Sequence, residues 1–445
     1  LKTAVVDGAG RLGGLCILRG CMPTKALLES AHRMHEIGRA GEFGVRVGRP
    51  RADVEAIVRR KDRLIREFAD YRRRQLEEGR FDLHRGQARF VGPHELRVER
   101  GREAWGVKGR TFVVATGSEV AVPEIPGLEE TGFWTSDEAI KVRRLPRRLA
   151  VLGGGAIACE FAQYFSHLGS RVTLIQRSGQ LLRDLDADVA EVVAQVFVKG
   201  GMTVATGTKL LEVRKTGRGK VIRFLHGERE RRVECDEVLV ALGRRPATGG
   251  LGLSEVGVRM GGSGGVEVRV TQQSSVEHIF AAGDACGPYE VVHLAIQQGE
   301  LAAANAARWL AGSGTLAEMD YRLKMAVIFT EPEVAGIGLG EAEAKAAGMA
   351  YATAKYPFND HGKSLVMGAR DGFVKMVAEP VRGEILGVQI VGPRASDLIH
   401  EFVPVLHYRG TVDEFKSMPH YHPTLAEILT YPAEELSERF QATRD

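Results

Sequence analysis

One glycine-rich turn constrains the fold of this 445-residue chain more than any other feature. The run Val151-Leu152-Gly153-Gly154-Gly155-Ala156-Ile157-Ala158 has the pattern G-x-G-x-x-A, follows a predicted apolar strand and opens a predicted helix. Gly153 would permit the tight turn, Gly155 would let the backbone approach a pyrophosphate at the positive helix end, and Ala158 would let helix and sheet pack closely. Because strand and helix flank the turn, the pattern indicates a dinucleotide-binding fold rather than an ordinary glycine turn.

The residues about twenty positions beyond this turn bear on the choice of dinucleotide. An NAD site typically has Asp or Glu at the end of the second strand, where it binds the ribose 2′-hydroxyl. Here that position is Gln176, and Arg177 and Arg183 follow it. An amide tolerates a 2′-phosphate and guanidinium groups bind one, so the pattern favours NADPH over NADH. The alternative is that both arginines are solvated surface charges of an Arg-rich chain.

A second informative stretch, Gly13 to Lys25, contains the close cysteine pair Cys16 and Cys21. A loop-to-helix junction would bring the two Cα atoms near enough for a disulfide. Closing so short a loop stabilises by only about 2 kcal/mol, so a redox role is favoured over a structural one. Pro23 suits a first helical turn, which would put Cys21 at the positive helix end and leave Cys16 in the loop. The alternatives are two unrelated thiols or half of a metal site, but no second close Cys or Cys/His pair exists to complete a zinc site.

A segment near the C-terminal end is a candidate for acid–base chemistry. It reads His420-Tyr421-His422-Pro423-Thr424-Leu425-Ala426-Glu427. Pro423 would start a helix, leaving His422 just outside it and Glu427 one turn in, close enough to orient the imidazole. Thiol–disulfide exchange needs a group that takes and returns a proton near neutral pH, and histidine suits this. A histidine before a proline is usually a loop residue, but beside a redox cysteine pair the catalytic interpretation is favoured; His420 is expected to support or line the site.

Composition excludes several classes of protein. Lys and Arg (61) exceed Asp and Glu (57) by only four charges, too few for this length to indicate nucleic acid or an acidic membrane surface. No run of about 18 apolar residues is present, which predicts no membrane span. Five cysteines, an odd number, are too sparse for a disulfide framework and fit a reducing cytosol. We therefore expect a cytoplasmic protein with a small-molecule partner.

Hydrophobic periodicity and glycine punctuation predict an α/β protein. After about residue 319 the pattern changes to that of an antiparallel sheet with helices on one side. The predicted strands cover 1–7, 112–115, 149–152, 171–175, 237–241, 279–281, 324–329, 351–357, 373–378 and 385–391, and the predicted helices cover 23–35, 54–78, 290–310 and the segment from the glycine turn to about residue 167.

Together these motifs resemble those of the FAD-dependent pyridine nucleotide-disulfide oxidoreductases with a C-x4-C redox pair. They are most similar to the dihydrolipoamide dehydrogenase branch, with glutathione reductase and mercuric reductase as relatives. The resemblance covers essentially the whole chain. Four further segments carry it. Ala115-Thr116-Gly117-Ser118 resembles a flavin-contacting turn, and Ala241-Leu242-Gly243-Arg244-Arg245-Pro246 resembles the GR-P turn. Ile279-Phe280-Ala281-Ala282-Gly283-Asp284 resembles the strand whose Asp binds the ribityl-phosphate portion of the flavin, and Phe329-Thr330-Glu331-Pro332-Glu333 resembles the start of a dimerisation domain.

The resemblance implies two Rossmann-like domains, one for FAD and one for NAD(P), and a C-terminal α+β dimerisation domain. The implied boundaries are 1–118 for FAD binding, 119–244 for NAD(P) binding, 245–318 for a central domain that completes the FAD site, and 319–445 for dimerisation. The family's first strand and first G-x-G-x-x-G turn do not occur in this sequence. Without them we expect the FAD site to be half built.

The resemblance also implies the cofactor contacts. Lys25 would lie near flavin N5 with Glu160 as its carboxylate partner, and Asp7 would bind the adenosine ribose. No metal ligands are implied. The other implied contacts are Gly13, Gly14, Ala115, Thr116, Gly117, Gly243, Arg244, Gly283 and Asp284 for FAD, and Gly153, Gly155, Ala158, Gln176, Arg177 and Arg183 for NAD(P).

The implied activity is that of a homodimeric flavoenzyme that passes hydride from nicotinamide to FAD and an electron pair on to the Cys21 side of a disulfide. Cys16 would exchange with dihydrolipoamide or another small disulfide or dithiol, while His422 and Glu427 of the partner subunit would handle the proton. Two alternatives stay open. One is an NADPH-dependent metal-ion reductase like mercuric reductase, although no terminal cysteine pair follows Glu427. The other is a non-catalytic nucleotide-binding protein.

Overall fold

The computed structural model describes residues 1–444 and divides the chain into two compact units. Unit 1 consists of Leu1–Ala26, Arg59–Val122 and Gly243–Asp320. Unit 2 consists of Leu27–Val58, Pro123–Leu242 and Tyr321–Asp445. No helix among the described residues is long and apolar enough to cross a membrane.

The chain alternates between strands and helices along most of its length. The strands are β1 Ala4–Asp7, β2 Asp82–Arg85, β3 Gln87–Gly92, β4 Glu95–Arg100, β5 Glu103–Lys108, β6 Phe112–Val114, β7 Ser118–Val120, β8 Arg148–Leu152, β9 Arg171–Ile175, β10 Thr203–Ala205, β11 Thr208–Thr216, β12 Gly219–His226, β13 Arg229–Cys235, β14 Glu237–Val240, β15 Arg244–Pro246, β16 Ile279–Ala281, β17 Met325–Ile328, β18 Glu333–Gly338, β19 Ala352–Pro357, β20 Phe373–Ala378 and β21 Ile385–Gly392. The α-helices are α1 Gly14–Leu18, α2 Cys21–Arg39, α3 Val54–Glu77, α4 Leu128–Thr131, α5 Ser136–Ala139, α6 Ala156–His167, α7 Ala187–Lys199, α8 Val292–Leu310, α9 Glu341–Ala346, α10 Gly362–Val366, α11 Ala395–Leu398, α12 Phe402–His407, α13 Val412–Ser417 and α14 Thr430–Arg444.

Unit 1 is built from short strand pairs around a small apolar core. β1 pairs with β2 and β16 with β6, both in parallel, while β15 pairs with β7 in antiparallel fashion and β3, β4 and β5 form an antiparallel meander. Phe90, Val114, Leu253 and Ile279 are among the buried residues of its core. Because β6 and β16 are parallel, the turns that follow them leave the sheet at the same edge.

The central sheet of unit 2 has the strand order of a nucleotide-binding half-fold. Its order is β10-β9-β8-β14 and every pairing is parallel, which corresponds to the 3-2-1-4 order of a Rossmann half. Residues 149–152 of β8 are all buried, as expected of a parallel strand covered on both faces. The glycine turn leaves the carboxyl end of β8, beside the point where the strand order reverses, and this is where such folds bind ligands.

The C-terminal part of unit 2 is an antiparallel sheet of order β17-β18-β21-β20-β19. It confirms the predicted change of architecture after residue 319. Its core includes Phe358 together with Phe402, Phe415 and Leu436 from the helices that follow the sheet.

The predicted strands and helices correspond to observed ones, but several observed elements were not predicted. These are the strands β2, β7, β10, β15 and β18, the meanders β3–β5 and β11–β13, and the helices α1, α4, α5, α7, α9 and α10. α2 begins at Cys21, two residues earlier than predicted, and continues to Arg39. The Arg-rich sequence of α3 predicts charges that face solvent, and this prediction is wrong for Lys61, which is buried and paired with Asp62.

Candidate active site

The glycine turn after β8 has one glycine that the fold requires and one that leaves space for a ligand. Gly153 has φ +121°, and a Cβ there would lie 2.2 Å from the carbonyl oxygen of Ala241. A Cβ on Gly155 would meet nothing within 4 Å, although Gly155 is the residue just before α6. The first amide groups of a helix have no partners within the helix, so this open face fits a pyrophosphate. Ala158 is completely buried, as close packing of α6 on the sheet requires.

The residues expected to select the dinucleotide differ in exposure. Gln176 is buried, and its Oε1 accepts a hydrogen bond from the Arg177 amide at 3.1 Å. A Cβ on Gly154 would be only 2.8 Å from Gln176 Cγ, so the amide side chain packs directly beneath the glycine turn. Arg177 and Arg183 are exposed, and Arg183 Nε lies 3.4 Å from Asp184 Oδ1. Gln176 therefore contacts the turn itself, while the two guanidinium groups lie at the surface.

Cys16 and Cys21 of unit 1 are in mutual hydrogen-bond contact through their side chains. This hydrogen bond and burial raise the pKa of Cys16. Cys21 lies at the positive end of α2, as predicted, but the prediction that Cys16 lies in a loop is wrong because Cys16 lies within α1. Gly20 explains how the two short elements meet: a Cβ there would lie 3.1 Å from the Leu15 carbonyl oxygen and 3.2 Å from Cys16 Cα. The glycine thus lets α1 and α2 turn closely enough for the sulfurs to meet.

The flavin-side candidates before the cysteines are turn residues of unit 1. Asp7 ends β1, and its Oδ1 accepts a hydrogen bond from the Ala9 amide at 2.8 Å. Gly13 and Gly14 have φ of +143° and +76°, conformations that favour glycine. A Cβ on Gly14 would meet nothing within 4 Å. These glycines therefore leave backbone accessible just before the first redox cysteine.

A hydrogen-bond network joins the turns after β6 and β16. Ser118 Oγ donates to Asp284 Oδ2 at 2.5 Å and accepts from Arg244 Nε at 2.7 Å, and Arg244 Nη2 donates to the Ser118 carbonyl at 2.8 Å. Asp284 follows Gly283, which has φ +69° and whose amide donates to Gln298 Oε1 at 2.7 Å. The guanidinium of Arg244 therefore holds Ser118 and orients Asp284 through it, and its expected contact with FAD stays a prediction.

The remaining turn positions on the flavin side are open. Ala115 and Thr116 are exposed, and Gly117 has φ +72° with nothing within 4 Å of a Cβ built on it. Gly243 has φ +125° and equally open space. An oriented carboxylate and open glycine turns at one edge of the strands fit the phosphate and ribityl portions of FAD.

Lys25 and Glu160 belong to different elements. Lys25 is half-buried in the second turn of α2. Glu160 is 3% exposed in α6, and its Oε1 accepts a hydrogen bond from the Phe329 amide at 3.1 Å. The carboxylate therefore has a fixed orientation, whereas the expected pairing with Lys25 stays a prediction.

His422 and Glu427 form the hydrogen bond that the sequence analysis predicted. His422 Nδ1 lies 2.9 Å and 3.0 Å from the two carboxylate oxygens of Glu427, and the His422 side chain is 74% exposed. The prediction that Pro423 starts a helix is wrong: the peptide bond before it is cis, and Glu427 lies in a 3-10 turn over Ala426–Leu429. The carboxylate thus leaves one face of an exposed imidazole free for other partners.

Sequence reasoning missed a second histidine beside Glu427. His361 Nε2 lies 3.8 Å from Glu427 Oε2, and His361 Nδ1 lies 2.8 Å from Ser364 Oγ. Burial lowers the pKa of His361, which favours the neutral imidazole. The His420 side chain is 6% exposed, and its Nε2 lies 2.6 Å from Glu401 Oε1. This position fits a supporting role. No motif links residue 361 to residues 420–427, so no local pattern could have revealed His361.

Comparison with known proteins identifies the family. Residues 1–299 match the model described as pyridine nucleotide-disulphide oxidoreductase, and residues 325–433 match the dimerisation domain of the same family. The chain therefore belongs to the pyridine nucleotide-disulphide oxidoreductases. This confirms the predicted family and fold class.

Individual relatives narrow the class. The chain is 35% identical over 443 residues to a dihydrolipoyl dehydrogenase of Thermus scotoductus, covering 99% of this chain and 93% of the relative. It is 32% identical over 426 residues to a mercuric reductase of Lysinibacillus sphaericus, covering 95% of this chain and 76% of that protein. The fold is similar to that of LpdA from Mycobacterium tuberculosis, with a TM-score of 0.85, 25% identity and coverage of 98% and 94%.

These similarities confirm an oxidoreductase of the flavoprotein disulfide class that is similar to dihydrolipoyl dehydrogenases. The family supports FAD as a cofactor, and the match to the dimerisation domain supports a homodimer.

Proposed function

We propose that this protein catalyses electron transfer between NADPH and a small disulfide or dithiol, with dihydrolipoamide as the best candidate, through the cysteine pair Cys16 and Cys21. The observation that carries the proposal is the hydrogen-bond contact of the two thiols at the start of α2. When bound, FAD supplies the two-electron relay between the nicotinamide and the disulfide.

The exchange chemistry balances within the cysteine pair. In the oxidised form, a substrate thiolate attacks Cys16 Sγ, the Cys16–Cys21 bond breaks, and Cys21 leaves as a thiolate at the positive end of α2. The second substrate thiolate then attacks the substrate sulfur of the mixed disulfide and releases Cys16. The product is the substrate disulfide, and the enzyme retains two electrons as the Cys16–Cys21 dithiol.

We assign the proton transfer to His422 of the partner subunit. The imidazole accepts the proton of the incoming thiol and returns it to the leaving thiolate in the reverse direction. Glu427 holds Nδ1 and so presents Nε2 to the substrate, and an exposed His422 is suited to reach a site on another protomer. His361 supports Glu427 from the buried side without competing for the proton, because burial keeps its imidazole neutral.

The cofactor assignment rests on residues that lie in each unit separately. We assign Asp7, Gly13, Gly14, Lys25, Ala115, Thr116, Gly117, Glu160, Gly243, Gly283 and Asp284 to FAD, with Arg244 orienting Asp284 through Ser118. For NADPH we assign Gly153, Gly155, Ala158, Gln176, Arg177 and Arg183. The support for NADPH is the uncharged, buried Gln176 together with two exposed guanidinium groups nearby.

We also propose the domain boundaries 1–118, 119–244, 245–318 and 319–445, with the segment 245–318 completing the FAD domain. The support for joining the first and third segments is the parallel pairing of β6 with β16.

The test is a substrate panel on the FAD-loaded homodimer, run with NADH and NADPH in parallel. We expect lipoamide turnover with a higher kcat/KM for NADPH, and loss of at least about a thousandfold in Cys16→Ser and in Cys21→Ser. Cys235→Ala is the matched control, because Cys235 is buried in β13 and should leave turnover unchanged. Normal lipoamide turnover by either serine variant would overturn the proposed mechanism.

The dinucleotide preference has its own test. Gln176→Glu should move the preference toward NADH, since a carboxylate there repels the 2′-phosphate. Alanine at Arg177 and Arg183 should raise the KM for NADPH more than that for NADH. A wild-type enzyme that prefers NADH would refute the assignment.

A metal-ion reductase is the second candidate, and the similarity to a mercuric reductase favours including it. Mercury-dependent NADPH oxidation that equals or exceeds lipoamide turnover would replace the dithiol assignment.

A further inference from the structure

Three histidines and two glutamates converge in unit 2, outside the residues assigned above. His32, His35 and Glu36 lie on α2, His167 ends α6, and Glu331 lies between β17 and β18. We call these five residues the His/Glu cluster. Two sets of three within it hold their ligand atoms within 4.8 Å of one another: His35, His167 and Glu331, and His32, Glu36 and Glu331.

Helical spacing brings the cluster together from α2. Residues three and four positions apart lie on the same helix face, so His32, His35 and Glu36 point to one side of α2. The apolar residues Leu27, Leu28 and Ala31 of the same helix are buried in the core of unit 2. This anchors the helix and limits how far the two imidazoles can move away from the cluster.

Glu331 is held against α6 by its own backbone. Its amide donates to Gln163 Oε1 at 2.7 Å, and Gln163 Nε2 donates to the Glu331 carbonyl at 2.8 Å. Gln163 is 4% exposed and lies four residues before His167, on the same face of α6. The carboxylate and the His167 imidazole therefore approach each other from a rigid frame rather than from two mobile loops.

The side chains are arranged as a ligand set with an outer partner. The His35 and His167 rings stack with centroids 4.4 Å apart. His32 Nδ1 donates to Glu331 Oε1 at 2.8 Å, which leaves the second carboxylate oxygen for another ligand. Carboxylates that bind a metal are commonly held in place by hydrogen bonds from surrounding residues, and His32 provides such a bond here.

We propose that His35, His167 and Glu331 bind a borderline divalent cation of the Zn²⁺ type, with His32 orienting Glu331. Two nitrogens and one carboxylate oxygen suit such an ion, and the fourth position would hold water. Tetrahedral zinc places its ligand atoms about 3.3 Å apart, so the set must close from its present spacing by rotation of the stacked rings. All three side chains are partly exposed, which gives the ion a path from solvent.

The test measures Zn²⁺ binding by equilibrium dialysis on the FAD-loaded protein, with the cysteine pair kept as the disulfide by omitting reductant. We expect one saturable Zn²⁺ per chain, with the Kd raised at least about tenfold in His35→Ala, His167→Asn and Glu331→Gln, and by about tenfold in His32→Gln. Co²⁺ should give a visible band beyond the flavin absorption in the wild type and not in these variants. Wild-type protein without saturable binding, or variants that bind like the wild type, would overturn the proposal.

The matched control is a second stacked histidine pair, His94 and His278 of unit 1, whose ring centroids are 4.1 Å apart. His94 Nδ1 lies 3.1 Å from the Gly109 carbonyl and His278 Nε2 lies 2.7 Å from the Pro93 carbonyl, so these nitrogens already have partners. His94→Ala should leave Zn²⁺ binding unchanged. If His94→Ala weakens Zn²⁺ binding as much as His167→Asn does, a stacked histidine pair is sufficient for the measured affinity. That result would refute the proposed site. Thermal unfolding without metal checks each variant, and His35→Ala still decides the question if His167→Asn does not fold.

Discussion

Gly153→Ala should mainly lower the stability of the fold, whereas Gly155→Ala should mainly weaken cofactor binding, although the two glycines are only two residues apart. At Gly153 the added Cβ would lie 2.2 Å from the Ala241 carbonyl oxygen in a backbone with φ +121°. The contact must open by about 1 Å, which costs about 1–3 kcal/mol by overpacking. The unfavourable φ costs about 1–3 kcal/mol more.

We therefore expect Gly153→Ala to lower the free energy of unfolding of unit 2 by about 2–6 kcal/mol, a large part of the about 5–15 kcal/mol typical of a domain. Gly155→Ala should change the free energy of unfolding by less than about 0.5 kcal/mol, because its Cβ meets no atom within 4 Å. The methyl group that Gly155→Ala adds would occupy the space that the pyrophosphate needs, so the KM of this variant enzyme for NADPH should rise by at least about tenfold.

Urea unfolding followed by circular dichroism measures the first effect as a shift of the midpoint at unchanged slope. Steady-state kinetics at varied NADPH measures the second. Equal destabilisation by the two substitutions, or unaltered NADPH binding in Gly155→Ala, would refute this division of roles.

Three further substitutions test other parts of the structure. Lys375→Met should cost about 3–5 kcal/mol by urea unfolding, since Lys375 is buried and pairs with several carboxylates, among them Asp188 at 3.0 Å. Burial opposes ionisation of Asp188, but hydrogen bonds from its lysine partners lower its pKa below the ordinary 3.8. The contribution of ionised Asp188 to the free energy of unfolding is therefore full above about pH 4 and is lost as the pH falls further. This pH-dependent contribution should be smaller in Lys375→Met. Glu427→Gln should lower kcat at neutral pH by about 10- to 100-fold and shift the pH profile with little change in thermal stability, because His422 loses its charged partner; an unchanged profile would contradict the role. Gly20→Ala should lower dithiol turnover by about tenfold by pushing α1 and α2 apart, and normal turnover would show that the close turn is not needed.

The C-terminal segment shows where local sequence is sufficient and where it is not. The hydrogen bond between His422 and Glu427 was predicted because the two residues are close in sequence and a proline lies between them. The conformation was predicted wrongly, since the chain enters a 3-10 turn only at Ala426. His361 joins Glu427 from a segment more than sixty residues earlier, and the packing of the C-terminal sheet alone brings it there.

Charged meanders were missed for a related reason. The side chains of Arg223 in β12 and Glu230 in the neighbouring β13 form an ion pair at 2.6 Å. β13 consists mostly of charged residues, with Val233 and Cys235 as its apolar positions, so periodicity cannot distinguish it from a loop. Oppositely charged side chains on neighbouring strands stabilise such a sheet in place of apolar contacts. Which side chains lie close together is known only once the register of the strands is known.

The sequence by itself determined the glycine turn, the cysteine pair, the parallel strands and the family, because each depends on backbone conformation, spacing or hydrophobic period within a short stretch. Only the tertiary structure decided that Arg244 holds Ser118, that Cys16 lies in a helix, and that residues 35, 167 and 331 converge. The physical reason is that a short stretch of sequence specifies its own conformation, whereas contacts between distant segments depend on how buried surfaces pack against each other.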